Sequence, residues 1–221
     1  KKENRILDVK AMLSAIQKRA PIYDKSQDAH FNLISALHKS LRGSDVNAAL
    51  YWLARMLIGG EPPNYILRRL LRFASEDIGM ADPLALNQAV SAWEAFERIG
   101  SPEGELAIAQ CVIYLATAPK SNSIYKALNS ARRIAEDTGS LAPPKHTLNA
   151  PTLLMKELGY GQEYIYEHDV ANAYSGQEFF PESIGGLVFY EPSDRGFEKE
   201  IEKRLRVWES LRSQNKSIDS N

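Results

Sequence analysis

Cysteine is nearly absent: Cys111 is the only one. That excludes an internal disulfide and any multi-cysteine zinc site, and it suits a reducing compartment. Long apolar runs are missing too. No stretch reaches the roughly eighteen apolar residues of a membrane-spanning helix, and KKENRILDVK has no apolar region of the signal-peptide kind. Neither sign of charge dominates. A formal net charge of −1 argues against a strongly basic nucleic-acid binder, although it leaves room for a local patch. No glycine is followed by lysine, so the phosphate loop G-x-x-x-x-G-K-[ST] has no counterpart, and G-x-G-x-x-G is absent as well. No strand ending in paired acids is there to hold magnesium. His30, His38, His146 and His168 show no metal-ligand spacing. His168-Asp169 resembles half of a catalytic pair, but no nucleophile accompanies it, and it reads as a turn histidine. Cys111, within AIAQCVIYLA, reads as a buried inert thiol.

What is present is a helical grammar. Hydrophobic residues make up 44% of the chain, enough for a substantial core. Ile6, Val9, Leu13 and Ile16 recur at helical spacing, so residues 5 to 19 are expected to form a short helix stopped by Pro21. A second helix runs from about Asp28 to Leu41, with Phe31, Ile34, Leu37 and Leu41 as its stripe and Gly43 as its stop. Ser44 or Asp45 caps a third, whose apolar face is Ala49, Leu50, Leu53, Ala54 and Leu57, and Gly59-Gly60 closes it. Pro62 and Pro63 suit the first turn of a fourth, which carries Tyr65, Ile66, Leu70, Phe73 and Ala74. Asp82-Pro83, Ser101-Pro102 and Ser121 or Ser123 open three more, which end near Gly100, Pro119 and Gly139. The fold class is all-α.

From Ser140 the character changes. LAPPKHTLNAP is a proline-rich loop, Thr152 to Leu158 has the length of two helical turns, and the stretch up to Pro192 is dense in Tyr, Phe, Gly and Pro without a helical period. LVFY reads as a short strand at most. Its aromatics are expected to pack on the helical body. Phe197 to Leu211 closes the fold as an amphipathic helix with Ile201, Leu205, Trp208 and Leu211 on one face.

Basic side chains cluster on neighbouring helices: His38, Lys39 and Arg42, then Arg55, then Arg68, Arg69 and Arg72. Such faces bind phosphate backbone or a partner's carboxylates. The alternative is a solvated or internally paired face. Lys126, Arg132 and Arg133 form a weaker second group. Ser75-Glu76-Asp77 and Asp82 gather acids that read as helix caps or arginine partners rather than an acid–base pair.

The stretch HFNLISALHKSLRGSDVNAALYWLARMLIGGEPPNYILRRLLRFASEDIGMADPLAL resembles the C-terminal half of the RarA/MgsA family. These are replication-associated recombination ATPases related to the Werner-helicase-interacting protein. The likeness continues through APKSNSIYKAL, NAPTLLMKELGYGQEYIYEHD, and the FFP and RGFE segments. It implies a clamp-loader-like AAA+ protein, with an ATPase core, a helical lid and a helical collar that assembles a homotetramer. On that pattern residues 1–22 end the lid, 23–140 form the collar, and 141–221 are a family-specific segment packed on it. The ATPase core has no counterpart, and the chain is expected to be part of a longer protein. ATP and magnesium would belong to that core, with no cofactor here. The resemblance further implies DNA-dependent ATP hydrolysis at forks and single-strand gaps. Implied partners are further copies of the chain and single-strand-binding or other replication proteins, in the cytoplasm at the nucleoid. For the collar's subunit interface the expected residues are Tyr51, Trp52, Leu53 and Met56, whose helix has more apolar residues than one stripe needs, with Trp93 and Phe96 as secondary candidates. A direct DNA-binding module and a monomeric adaptor are the competing readings. Catalysis by these residues is the weakest, since no nucleophile, base or metal set converges.

Overall fold

The computed structural model describes residues 27–218, and the helix expected over 5 to 19 lies outside them. The described residues form eight α-helices joined by short 3-10 and π turns, with no strand among them. The chain divides into two compact units, residues 1–121 and 122–221.

The first unit holds α1 (Gln27–Arg42), α2 (Val46–Ile58), α3 (Pro63–Phe73), α4 (Leu84–Ile99) and α5 (Glu105–Thr117). Helix α5, ELAIAQCVIYLAT, is apolar on nearly every side, as a central helix must be. It packs against all four others and buries Ile108, Cys111, Val112, Leu115 and Ala116. The surrounding helices each turn one stripe toward it. Ile34, Leu37 and Leu41 come from α1, and Ile66, Leu67, Leu70 and Phe73 from α3. The spacing of i, i+4 and i+7 puts Ala85, Ala89 and Ala92 on one face of α4, where their small side chains allow close approach to α5.

The ends follow the local chemistry. Asp45 is the N-cap of α2, its carboxylate accepting from the Ala48 backbone N–H at 2.9 Å. Pro63 occupies the first turn of α3, where a missing N–H costs nothing. Gly43 follows Arg42, the last residue of α1, as expected, but not in a left-handed conformation. Ser44 takes that role at φ 57, and the Asp45 N–H reaches back to the Ser40 carbonyl at 3.0 Å. Phe31 stands 59% exposed instead of joining the α1 stripe. On α2 the buried residues are Ala49, Leu53 and Met56, while Ala54 is exposed. Beyond Phe73 the chain makes a π turn, Ala74–Ile78, then a 3-10 turn, Gly79–Ala81.

In the second unit, α6 (Ser123–Thr138), α7 (Leu153–Glu157) and α8 (Glu198–Ile218) are separated by irregular chain with three 3-10 turns. LVFY is irregular chain and not a strand, with no ladder formed by any segment among the described residues. Side chains take over the work of strand pairing. The Gln177 amide accepts from the Ile165 N–H at 3.0 Å and donates to the Glu163 carbonyl at 2.7 Å. Glu178 accepts from the Phe179 and Phe180 N–H groups. Glu198, fully buried at the start of α8, accepts from the Tyr190 hydroxyl at 2.9 Å and the Ser193 N–H at 2.8 Å. His168 lies in a 3-10 turn with its ring 5.1 Å from that of Tyr166.

Candidate functional site

The basic residues do not form one uniform face. His38 sits on the core side of α1, only 6% exposed, with its ring edge-on to Phe73 at 5.6 Å. Burial, with Arg69 and Arg42 nearby, drives its pKa down to about 4 against a weaker opposing pull from a backbone hydrogen bond at Arg69 and from Glu76. The imidazole is therefore neutral at physiological pH, and the expectation of His38 as an exposed cationic contact is corrected. Its position beside Leu37, and one turn from Ile34 and Leu41, places it in the buried stripe.

Arg42 makes a two-pronged contact with Asp77, Nε to Oδ1 at 2.5 Å and Nη2 to Oδ2 at 3.2 Å. Arg72 pairs with Glu76 at 2.6 Å. Both acids sit on the π turn, so the acids at 76 and 77 act as arginine partners, and Asp82 acts as a cap. The Asp82 carboxylate accepts from the Leu84 N–H and from the Tyr114 hydroxyl at 2.7 Å, which lifts the Tyr114 pKa to about 12. Arg55 stands apart from this group, its guanidinium 6.0 Å above the Tyr51 ring and donating to the Tyr51 hydroxyl. Lys39 and Arg68 are exposed. Arg69 is partly buried, and its Nε finds no hydrogen-bond acceptor. The structure thus brings His38, Arg42 and Arg69 together and leaves Arg55 elsewhere.

The apolar set also splits. Leu53 and Met56 are 2% and 0% exposed and belong to the core of the first unit. They offer nothing to a neighbouring subunit, because they complete the buried stripe that begins at Ala49. Tyr51 is 54% exposed, and Trp52, half-buried, meets it ring to edge at 5.1 Å. Trp93 and Phe96 lean on the core from its edge. The Trp93 indole donates to Glu97 at 2.6 Å, and Phe96 lies against Gly104, where an added Cβ would stand 3.1 Å from its ring.

Two features escaped the sequence reading. Helix α4 has a second apolar stripe beside its buried alanines, formed by the exposed Leu86 and Val90 and the half-buried Trp93. On α5, Leu106 and Ile113, seven residues apart on one face, are 76% and 43% exposed. The signal was there in the all-round apolarity of α5, more than its buried positions use. The other omission is Lys120. It donates to the Ala116 and Ala118 carbonyls at 2.9 and 2.5 Å and to the Ser44 hydroxyl at 3.3 Å, and burial lowers its pKa. Among the described residues no group of three or more His, Cys, Asp or Glu side chains could hold a metal ion, and no helix is long and apolar enough to cross a membrane.

The family model described as MgsA AAA+ ATPase C terminal matches residues 43–209, and one described as AAA C-terminal domain matches residues 1–42. The chain is 52% identical over 198 residues to Replication-associated recombination protein A of Coxiella burnetii, covering 89% of this chain and 45% of that protein. It is 47% identical over 215 residues to the protein of the same name in Escherichia coli K12, covering 97% and 48%. It is also 46% identical over 187 residues to ATPase WRNIP1 of Dictyostelium discoideum, covering 84% and 21%. The chain spans about half the length of the two bacterial relatives.

Proposed function

The chain belongs to the MgsA AAA+ ATPase C-terminal family, and from that premise we propose that it is the collar through which a replication-associated recombination ATPase assembles. In this reading the helical body within residues 23–140 holds several copies together at a fixed spacing, as a homotetramer. ATP and magnesium are handled by an ATPase core joined to the collar, and DNA-dependent hydrolysis at forks and single-strand gaps is the activity of the whole protein in the cytoplasm. Residues 1–22 then belong to the lid and 141–221 to a segment peculiar to the family.

The observation that carries the reading is the apolar surface left uncovered on α4 and α5. Leu86 and Val90 on one helix and Leu106 and Ile113 on the other are large and exposed, beside a core that is already closed. Obligate interfaces are apolar at the centre and bury roughly 2,000 Å² or more. Tyr51, Trp52, Trp93 and Phe96 remain in the proposed interface, and Leu53 and Met56 leave it. Light scattering on the chain at tens of micromolar tests the proposal. A mass of several copies is expected, and a monomer would overturn it.

A second reading is favoured by α3. Arg68 and Arg69 have no ion-pair partner among the described residues, so the collar presents positive charge toward DNA. Anisotropy titration with labelled single-stranded DNA should give binding that weakens steeply with salt. A titration that stays flat at low salt would remove DNA contact from the collar.

A further inference from the structure

Within the second unit, α8 and the chain at residues 174 and 188–192 enclose a groove of about 490 Å³. Ligand sites typically measure about 300–1,000 Å³. The rings of Tyr174, Tyr190 and Trp208 form its walls, together with Val188, Pro192 and Leu205. Leu205, Trp208 and Arg212 come from one face of α8, at the spacing of i, i+3 and i+7. Trp208 is 46% exposed and Val188 76% exposed, so the apolar wall stands open to solvent.

The rim decides which charge fits. Glu191, Glu202 and Glu209 line the groove against Arg206 and Arg212. Both guanidinia are already engaged, Arg206 with Glu202 and Arg212 with the Tyr174 hydroxyl at 3.0 Å. Glu191 and Glu209 make no ion pair among the described residues. Bases of single-stranded DNA stack on rings such as these, but its phosphates would meet free carboxylates and no free cation. A lysine or arginine side chain meets carboxylate and aromatic face together.

The hydrogen-bonding groups decide the backbone. The Tyr174 hydroxyl accepts from Arg212, so its own proton is free to donate. The Trp208 indole N–H meets no acceptor among the described residues. The ligand must therefore bring carbonyls that have no other partner. A helix uses its carbonyls internally. A strand needs a ladder edge, and no strand occurs among the described residues. A polyproline II segment makes no internal hydrogen bonds, so its carbonyls are free, and its prolines suit aromatic-lined grooves.

We propose that this groove docks a proline-rich segment of a partner protein in the polyproline II conformation, with a lysine or arginine beside the prolines placed against Glu191 and Glu209. Trp208 and Tyr174 donate to its carbonyls, and the aromatic walls hold its rings. The site does not depend on the collar reading, which is tested by mass rather than by peptide.

Calorimetric titration of the intact chain with a blocked peptide, one arginine followed by a run of prolines, should give saturable binding at one site. The same peptide with glutamate in place of arginine should bind more weakly. So should a glycine–serine peptide of equal length that keeps the arginine. Trp208→Ala should weaken binding by about tenfold or more, as loss of an aromatic anchor does, with a thermal melt confirming that the variant folds. Glu209→Gln, at an exposed position, should weaken it about two- to fivefold and reduce its salt dependence. If Trp208→Ala does not fold, Glu209→Gln decides alone. Labelled single-stranded DNA should leave the peptide bound, and displacement by DNA would identify a base-stacking surface instead. That displacement, absence of saturable peptide binding, equal or tighter binding of either control peptide, or undiminished binding by either folded variant would each overturn the proposal.

Discussion

His38 makes the stability of this protein depend on pH in one direction. Its pKa falls from 6.5 to about 4 on folding, so between those values the unfolded chain holds a proton that the folded chain has shed. Stability is full above pH 6.5 and declines as pH drops through the window. The contribution is about 3 kcal/mol at most. The groups facing the ring are Arg69, Arg42 and Glu76. Urea midpoints measured across that range should fall more steeply for the natural chain than for His38→Phe, and parallel curves would show that the ring does not titrate there. Cys111 is 1% exposed, and burial pushes its thiol up to about 12. A thiol reagent should label it at the rate of unfolding, and fast labelling of native protein would contradict its burial. Sequence foretold the inert thiol because AIAQCVIYLA is apolar around it. It did not foretell His38, whose polar type hid a place in the Ile34, Leu37, Leu41 stripe.

Helix ends were the most legible elements, since caps, prolines and glycines act locally. Asp45, one of two residues that could have capped α2, does so. Asp45→Ala should cost about 1 kcal/mol in a denaturant titration. An unchanged midpoint would mean that the cap bond contributes nothing. Elements defined by distant contacts were less legible. Nothing local marks Ala74–Ile78 as a π turn, and its contact with Arg42 through Asp77 spans 35 positions of the chain. LVFY has the composition of a strand and no partner to make it one. The buried Glu198 looks in sequence like an ordinary first-turn acid, yet it gathers Tyr190 and Ser193.

For the whole molecule, the all-α class and the helical body were readable from periodicity alone. The split of the interface candidates was not. Leu53, Met56, Tyr51 and Trp52 share one short helix, and only packing decides which of them face inward. That difference makes the assembly testable by contrast. Leu106→Glu with Ile113→Glu should lower the solution mass and leave the chemical stability of the dissociated chain within about 0.5 kcal/mol per site, as surface changes do. Leu115→Ala, at a fully buried position of the same helix, should cost about 2–5 kcal/mol. If both changes alter stability alike, Leu106 and Ile113 belong to the core and not to an interface.

The π turn after α3 has a consequence for chain length. A π turn holds one residue more than the α-helix it interrupts. Each residue added to or removed from a helix rotates the remainder of that helix by about 100°. The turn also receives the Ser121 N–H at the Asp77 carbonyl, 2.9 Å away, at the last position of the first unit. Deleting the exposed Ser75 would leave Glu76, Asp77, Arg42 and Arg72 all present in the chain. It would nonetheless swing Asp77 away from Arg42 and from Ser121. What the turn maintains there is a count of positions, and the chain could keep every charged residue and still lose these contacts by losing one of them.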